Sequence, residues 1–382
     1  MQHTITDKTE HFDENCRRQG DALLLALSVA RISFLNFNQK KNLLKKLDSP
    51  HSLALQFIEE IFKLAGCEGR TSRAVWNGPD NLRMAQAEAQ QCEKLGVKIL
   101  FFDDEEYPEA LRQIEDPPFV LFARGDVSLL KGRCVSVVGT RRLSQAGRDA
   151  ARNFARDAAF DGCNVVSGLA AGADAYAHLG AIDAFYERSE GRGPAEGEVL
   201  SDDEVSSDGR GAGGALGRTI AVLPSGIDNI VPYTNKRLAA AVLGSGGCIL
   251  SEYGPGAGSG KWQFIARNRI VAALSEATVV IEAPAGSGAL ITADLALEYG
   301  RDVMFHEVAF GEAASRISEV VREDLEKSFA TGRVSRYKME NTPEKFLSAG
   351  APVIKDYKDY CIALAEAPGE RSAPPVQGEL FI

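Results

Sequence analysis

The feature that most constrains the fold of this chain is the alternation of short apolar runs with longer helix-like segments from Cys134 onward. Short apolar runs predict buried strands, and the segments between them predict helices. Strands and helices that alternate in this way build an α/β fold with a doubly wound, mostly parallel sheet. We expect this domain to cover residues 134–365. The predicted strands are Cys134–Val138, Asn164–Val166, Thr219–Leu223, Cys248–Leu250, Thr278–Ile281 and Val303–Phe305. The predicted helices span residues 144–160, 174–186, 235–243, 266–275 and 290–299.

The chain before Cys134 is predicted to hold a small helical domain and a connector. Apolar residues recur at helical spacing over residues 16–95, and Asp48-Ser49-Pro50 marks a helix break with a cap. Residues 96–133 combine a strand-like run with turn-rich sequence, so we expect them to lead from the helical domain into the sheet. Residues 1–15 are predicted to be a disordered tail.

The charge of the chain limits where a polyanion can bind. The 382 residues carry a formal net charge of -10, which argues against nucleic-acid binding over the whole surface. Residues 187–217 hold eight acidic residues and three arginines, a net charge of -5. This segment has almost nothing to bury and is predicted to be a disordered acidic loop. The rest of the chain is only mildly acidic, so a local basic groove is compatible with the composition.

The cysteines and the hydropathy pattern favour a cytoplasmic protein without a metal or cofactor. The seven cysteines are odd in number and widely spaced, which fits neither a disulfide framework nor a paired-cysteine zinc site. No apolar run reaches the ~18 residues of a membrane span, and the polar start has no signal-peptide core. We therefore expect no membrane partner.

Small and polar residues gather in four segments at one edge of the predicted sheet. They are Val138–Arg142, Ser167–Asp174 with His178 one helical turn later, Lys261 with Phe264–Arg269, and Ala285–Gly288 leading to Thr292. Ligands of doubly wound sheets bind outside the carboxyl ends of the strands, where glycines and helix starts expose N–H groups to phosphate. The cations of these segments are Arg141, Lys261, Arg267 and Arg269. The combination predicts a phosphate-binding surface.

Each of these segments also has a structural interpretation. Arg267 and Arg269 stand at i and i+2 and do not share a helix face, so one of them also fits a structural ion pair. Asp174 and His178 fit a helix cap and a buried imidazole better than catalytic groups. We expect them to support the glycine turn, together with Gly172 and Thr292.

Several enzyme signatures are missing from the sequence. A Walker A loop would need Gly where Pro255 stands and Ser or Thr where Trp262 stands. The sequence contains no dinucleotide fingerprint of correct spacing, no Gly-x-Ser-x-Gly elbow and no His-Glu-x-x-His helix. We therefore expect a binding protein and not an enzyme.

Taken together, these motifs resemble the DNA-processing protein family DprA, also called Smf. The segments that carry the resemblance are Val138–His178, Thr219–Pro232, Leu250–Glu252, Arg267–Leu274 and Ser287–Arg301, with Tyr107–Leu121 and Gly125-Asp126 upstream. The resemblance implies an extended Rossmann-like domain preceded by a sterile-alpha-motif-like helical domain.

The resemblance also implies a function. Members of the family bind single-stranded DNA, form homodimers and help load the RecA recombinase during natural transformation. The DNA contacts carried over by motif are Gly139, Thr140, Arg141, Ser167, Gly168, Lys261, Arg267, Asn268 and Arg269. To these we add Ser287 and Gly288 of the fourth segment, and Phe264 as an aromatic for base stacking. Trp262 is the alternative aromatic, and Phe264 also fits a core position. On this basis we expect Arg267→Ala to weaken oligonucleotide binding without unfolding the protein.

The chain departs from the family pattern in several places. Ile265 and Ala266 precede Arg267 where a proline is usual, and Val231-Pro232 replaces Tyr-Pro. His306–Ala309 stands in place of a Val-Pro-Gly turn, and residues 311–343 form an insertion. These changes bear on DNA affinity and the dimer contact more than on the fold.

The final residues, 366–382, are predicted to be a flexible tail with a short linear motif. Residues 377–381 resemble the Gln-x-x-Leu-Phe peptide by which bacterial proteins bind the sliding clamp. In such a motif Gln377, Leu380 and Phe381 would occupy a preformed groove. The sliding clamp is thus a candidate further partner, and an inert chain end is the alternative.

Two other functions stay open at this point. A Lonely-guy-type nucleoside-monophosphate phosphoribohydrolase has a similar layout, with a Pro-Gly-Gly-x-Gly-Thr-x-x-Glu pattern that would fall on Pro284–Thr292. Ala289 and Thr292 stand where that pattern has Thr and Glu, so the carboxylate that assists glycosidic cleavage is missing. A partner-binding scaffold with decayed DNA affinity would account for the acidic loop.

Overall fold

A mixed nine-stranded sheet forms the centre of the computed structural model, which describes residues 20–67, 74–190 and 216–366. The strand order is β1-β2-β6-β5-β4-β3-β7-β8-β9. The strands from β6 to β9 in this order pair in parallel, whereas β1 and β2 are antiparallel additions at one edge. The strands are β1 (Lys98–Phe101), β2 (Val120–Gly125), β3 (Cys134–Val138), β4 (Asn164–Ser167), β5 (Thr219–Gly226), β6 (Cys248–Tyr253), β7 (Ala277–Val280), β8 (Asp302–His306) and β9 (Val353–Ile354).

Helices cover both faces of this sheet. Helices α7, α8, α9 and α15 pack on one face, and α10 and α11 pack on the other. The helices are α1 (residues 20–30), α2 (Phe37–Leu44), α3 (Pro50–Ala54), α4 (Ile58–Ala65), α5 (Gly78–Lys94), α6 (Glu109–Arg112), α7 (Gln145–Phe160), α8 (Ala173–Glu190), α9 (Lys236–Gly244), α10 (Lys261–Ala273), α11 (Gly288–Glu298), α12 (Glu312–Ala330), α13 (Arg336–Glu340), α14 (Pro343–Ser348) and α15 (Tyr357–Glu366). The prediction of a Rossmann-like α/β fold is confirmed.

Strand β3 shows why both faces of the sheet must be covered. Val135 and Val137 pack under α7 and α8, and Val138 packs under α10 and α11. Each fully buried valine contributes about 1.5–3 kcal/mol relative to its exposed state. Ser136 is the polar exception, and its hydroxyl donates to the carbonyl oxygen of Val271 at 2.7 Å. Burial on both faces explains the near-continuous apolar sequence of this strand.

The structure differs most from the predicted elements in three places. The segment expected to be a connector supplies β1 and β2 to the sheet. Helix α10 begins at Lys261 and not at residue 266, because Gly260 forms the N-cap and the Gln263 side chain accepts the Gly260 N–H. Helix α8 continues to Glu190, so the first four residues of the predicted acidic loop are helical.

The helices before β1 form a separate apolar cluster. Buried residues of α1 to α4 pack together and reach Phe119, which directly precedes β2. Helix α5 packs instead against the sheet through Ala85 and Cys92. In the part of the chain that the structure describes, no helix is both long enough and apolar enough to cross a membrane.

Candidate functional site

A cavity of about 410 Å³ lies at the carboxyl edge of the parallel strands. The turns after β3 and β4, the first half of α10 and the start of α11 form its walls. The residues that line it are Val138, Gly139, Thr140, Arg141, Arg142, Gly168, Ala170, Asp174, Phe264, Ile265, Arg267, Asn268, Val271, Ser287, Gly288, Ala289 and Thr292.

The turn after β3 is anchored from beneath by Glu282, which follows β7. The Thr140 N–H donates to the Glu282 carbonyl oxygen at 2.6 Å. The buried Glu282 carboxylate accepts the Ser144 N–H at 3.0 Å and also the Ser144 hydroxyl. Between these anchor points, Arg141 and Arg142 remain exposed. The turn therefore holds two cations at the mouth of the cavity.

The bottom of the cavity is built from Gly168, Asp174 and Arg267, which we call the pocket floor. The Asp174 carboxylate accepts the N–H groups of Gly168 at 3.1 Å and Ala170 at 3.2 Å. Arg267 crosses from α10 and donates through Nη1 to the carbonyl oxygens of Gly168 and of Val222, the latter at 2.6 Å. A Cβ atom at position 168 would collide with the Arg267 guanidinium, so this turn requires glycine.

The charges of the pocket floor are mutually compensated. Arg267 is only 6% exposed and Asp174 only 8%. Burial raises the pKa of Asp174, although Arg267 and the two N–H donors act in the opposite direction. Burial also lowers the pKa of Arg267, against the attraction of Asp174. Since the two charges offset each other, the positive potential at the opening comes mainly from Arg141 and Arg142.

The opening of the cavity is bordered by Arg141, Phe264 and Asn268, which we call the pocket rim. The Arg141 guanidinium lies 5.6 Å from the centre of the Phe264 ring. The Asn268 side chain donates to the Gly288 carbonyl oxygen at a long 3.4 Å. These contacts are weak or cover only part of each side chain. The rim thus keeps donors and an aromatic face available to a ligand.

The start of α11 adds donors to the same opening. The Ser287 hydroxyl has no hydrogen-bond partner within the described residues, and Ser287 stands at the N-cap of α11 without capping it. The Thr292 hydroxyl donates to the Gly288 carbonyl oxygen at 3.1 Å and fixes the first turn. Free N–H groups at a helix start attract anionic oxygens.

The structure brings nine of the twelve predicted DNA-binding residues to this cavity. The three others lie elsewhere. The Ser167 hydroxyl is buried and donates to the Val137 carbonyl oxygen at 2.7 Å. Lys261 is exposed at the first position of α10, outside the cavity lining. Arg269 forms a two-pronged ion pair with Glu252 at 2.7 and 2.9 Å and donates to the Asp116 carbonyl oxygen.

These positions correct two expectations. The idea that four cations share one rim is wrong for Arg269, because its guanidinium is turned to the acidic pair of Glu252 and Asp116. Arg267 does line the cavity, but as a buried part of the floor. The expectation that Arg267→Ala leaves folding intact therefore no longer holds, because the substitution leaves two buried carbonyl oxygens without their donor and Asp174 without the neighbouring positive charge.

The four supporting residues lie at or behind the floor. Asp174 and Thr292 line the cavity, whereas Gly172 lies against the Thr140 carbonyl. His178 is fully buried, and its Nδ1 lies 2.6 Å from the Thr219 hydroxyl oxygen. Burial, aided by the Arg267 charge, lowers the pKa of His178 to about 3. The imidazole is therefore neutral at physiological pH.

Two of the exposed lining residues, Arg142 and Ile265, were not predicted as ligand contacts. Arg142 shares the β3 turn with Arg141, and its position in that turn was the available signal. Ile265 is 55% exposed and lines the opening. An exposed isoleucine in the cavity wall has no sequence signature that separates it from a core residue. The central part of the predicted acidic loop (191–215) and the predicted clamp motif (377–381) lie outside the described residues.

Fold and cavity together define the class of the protein. It is a Rossmann-like α/β protein with its ligand cavity at the carboxyl edge of the sheet, where glycine turns and a helix start converge. The family of DNA recombination-mediator protein A matches residues 98–188 and 208–331. The chain belongs to this DprA/Smf family.

Individual relatives agree with this assignment. Protein Smf of Borreliella burgdorferi is 30% identical over 305 residues, which cover 78% of this chain and 84% of that protein. DNA processing protein DprA of Bacillus subtilis is 35% identical over 209 residues, 54% of this chain and 60% of that protein. The crystal structure of DprA from Streptococcus pneumoniae aligns with a TM-score of 0.57 at 26% identity, covering 88% of this chain and 95% of that one.

Proposed function

We propose that this chain binds single-stranded DNA at the cavity and acts as a recombination mediator. The observation that carries the proposal is the pocket rim, where exposed Arg141 and the Phe264 ring lie at the same opening as the N-terminus of α11. Cations that neutralise phosphates, combined with an aromatic face for a base, are the elements by which proteins hold single strands. Membership of the DprA/Smf family supports the same reading.

The chemistry of the cavity favours binding over catalysis. Among the described lining residues, Asp174 is the sole carboxylate, and it is buried and accepts two N–H groups. Thr292 occupies the position where a phosphoribohydrolase would need a glutamate, and its hydroxyl donates to the Gly288 carbonyl oxygen. A general acid or base for glycosidic cleavage has no place in this arrangement.

The finer steps of the role follow from the family resemblance. We propose that the chain protects single-stranded DNA as a homodimer and helps load RecA onto it. Pull-down of RecA by the tagged protein, with and without an oligonucleotide, tests the RecA step. Failure of RecA to co-purify in both conditions would exclude a stable complex.

The DNA-binding proposal is tested with Arg141→Ala. Anisotropy of a labelled oligothymidylate, measured over a series of salt concentrations, reports affinity and its salt dependence. We expect the wild type to bind and the variant to bind about tenfold more weakly at low salt, because a charge-assisted phosphate contact is lost. The logarithmic salt slope should fall by about 0.7.

The matched control is Arg83→Ala, which removes an exposed arginine of α5 in the N-terminal region. It should leave both affinity and salt slope unchanged. Equal affinities of wild type and Arg141→Ala would contradict the assignment of the rim. Absence of binding by the wild type would contradict the proposed function itself.

A further inference from the structure

The segment after α12 is fixed against the wall of the cavity. Asp294 of α11 accepts the Tyr337 hydroxyl, the Asn341 side-chain amide at 2.7 Å and the Lys345 ammonium at 3.2 Å. The Gly286 N–H also donates to the Asn341 carbonyl oxygen at 2.8 Å. Helix α13 and its following turn are therefore held on α11 and on the loop between β7 and α11.

Within this segment, Lys338 packs against Gly286. A Cβ atom at position 286 would stand 2.6 Å from the Lys338 carbonyl oxygen, 2.7 Å from its Cγ and 3.3 Å from its Cε. Gly286 also has a φ of +65°, a conformation that favours glycine. The stem of Lys338 thus lies along the loop that leads to Ser287 and Gly288, two residues that line the cavity.

Among the described residues Lys338 has no ion-pair partner, whereas its charged neighbours do. Arg336 pairs with Glu340, and Lys345 pairs with Asp294. Within residues 20–67, 74–190 and 216–366, no carboxylate lies at ion-pair distance from the exposed Lys338 ammonium. An unpaired cation on the loop that leads into a helix start at the cavity is suited to a phosphate oxygen.

We propose that Lys338 binds a backbone phosphate and extends the path of the single strand beyond the cavity, along the β7–α11 loop. The inference rests on the proposed function and names a second contact for the same ligand. A strand with one nucleotide in the cavity has to leave through the opening, and a phosphate that passes over Gly288 meets Lys338. The match to the family model ends at residue 331, so this contact lies in a part of the chain outside that match.

The test compares Lys338→Gln with Lys131→Gln. Lys131 is also exposed, but it ends the short helical turn before β3, at the sheet edge opposite to the cavity. With labelled oligothymidylate in the anisotropy assay, we expect Lys338→Gln to weaken binding about fivefold at low salt and to lower the salt slope by about 0.7. Lys131→Gln should match the wild type.

A charge-conserving variant separates phosphate binding from a structural role of the side chain. Lys338→Arg should retain the wild-type affinity and slope, and circular dichroism should show all three variants folded. Equal binding by Lys338→Gln and Lys131→Gln would overturn the inference while leaving the proposed function intact. A wild type and an Arg141→Ala variant that both fail to bind would overturn the proposed function and this inference together.

Discussion

The pocket floor and the pocket rim each contain an arginine, and the two arginines have different roles. Arg267 of the floor is almost fully buried, and its Nη1 donates to two backbone carbonyls. Arg141 of the rim is exposed, and its guanidinium lies over the face of Phe264. Burial decides which role each guanidinium has: the buried one positions the glycine turn, and the exposed one is free for a ligand. The contrast predicts that floor variants lose stability, whereas rim variants lose affinity.

The largest effect is expected for Arg267→Ala. Removing Arg267 takes away the positive charge that offsets buried Asp174 and the donor of two buried carbonyl oxygens. Loss of one partner from a buried charge pair typically costs about 3–5 kcal/mol. We expect the free energy of unfolding, measured by urea denaturation, to fall by about that amount. Arg141→Ala is the control and should change stability by about 0.5 kcal/mol or less. Equal free energies of unfolding of the two variants would contradict the distinction between a structural floor and a ligand-binding rim.

A second effect comes from His178, which lies behind the floor. Its pKa is about 3 in the folded protein against an ordinary 6.5. Below pH 6.5 the unfolded chain therefore binds a proton that the folded chain excludes, so stability falls as the pH drops from 6.5 toward 3. At pH 5 the loss amounts to about 2 kcal/mol.

His178→Gln removes this titration. Between pH 7 and pH 5, the free energy of unfolding of the wild type should fall by about 2 kcal/mol more than that of His178→Gln. His51→Gln replaces an exposed histidine of α3 and should follow the wild-type profile. Parallel profiles of His178→Gln and the wild type would show that His178 accepts a proton in the folded state.

The smallest effect is expected for Phe264→Leu at the rim. Leucine keeps apolar contact but removes the aromatic face, so the affinity for oligothymidylate should fall about fivefold, at the low end of base-stacking energies. Phe160→Leu changes an exposed phenylalanine at the far end of α7 and serves as the control in the anisotropy assay. If Phe264→Leu binds oligothymidylate with unchanged affinity, Phe264 contributes to packing and not to base stacking.

The part of the site that the sequence predicts best is built from local patterns. The turns after β3 and β4 follow apolar runs directly, and their glycines and small residues mark the close approach of backbone to ligand. The position of α10 was harder to predict, because the Gly/Ser-rich stretch before Lys261 resembles a loop that continues further. Its start depends on one side-chain cap from Gln263.

Contacts between distant residues account for the rest. Arg267 and Arg269 are two positions apart, but one reaches Gly168 and the other reaches Glu252 and Asp116. Only the folded arrangement decides which guanidinium faces the cavity. The position of Lys338 near the cavity also depends on the fold, because its segment is held there by contacts with Asp294 of α11.

The anchoring of the β3 turn by Glu282 explains how an acidic protein can attract an acidic ligand. The Glu282 carboxylate is buried, accepts the Ser144 N–H and is not among the residues that line the opening. Replacing it to make the molecule less negative would release the turn that carries the two exposed arginines. The net charge of the chain is therefore a poor guide to its affinity for a polyanion. Buried acidic residues that anchor loops contribute to the net charge but do not contact the ligand.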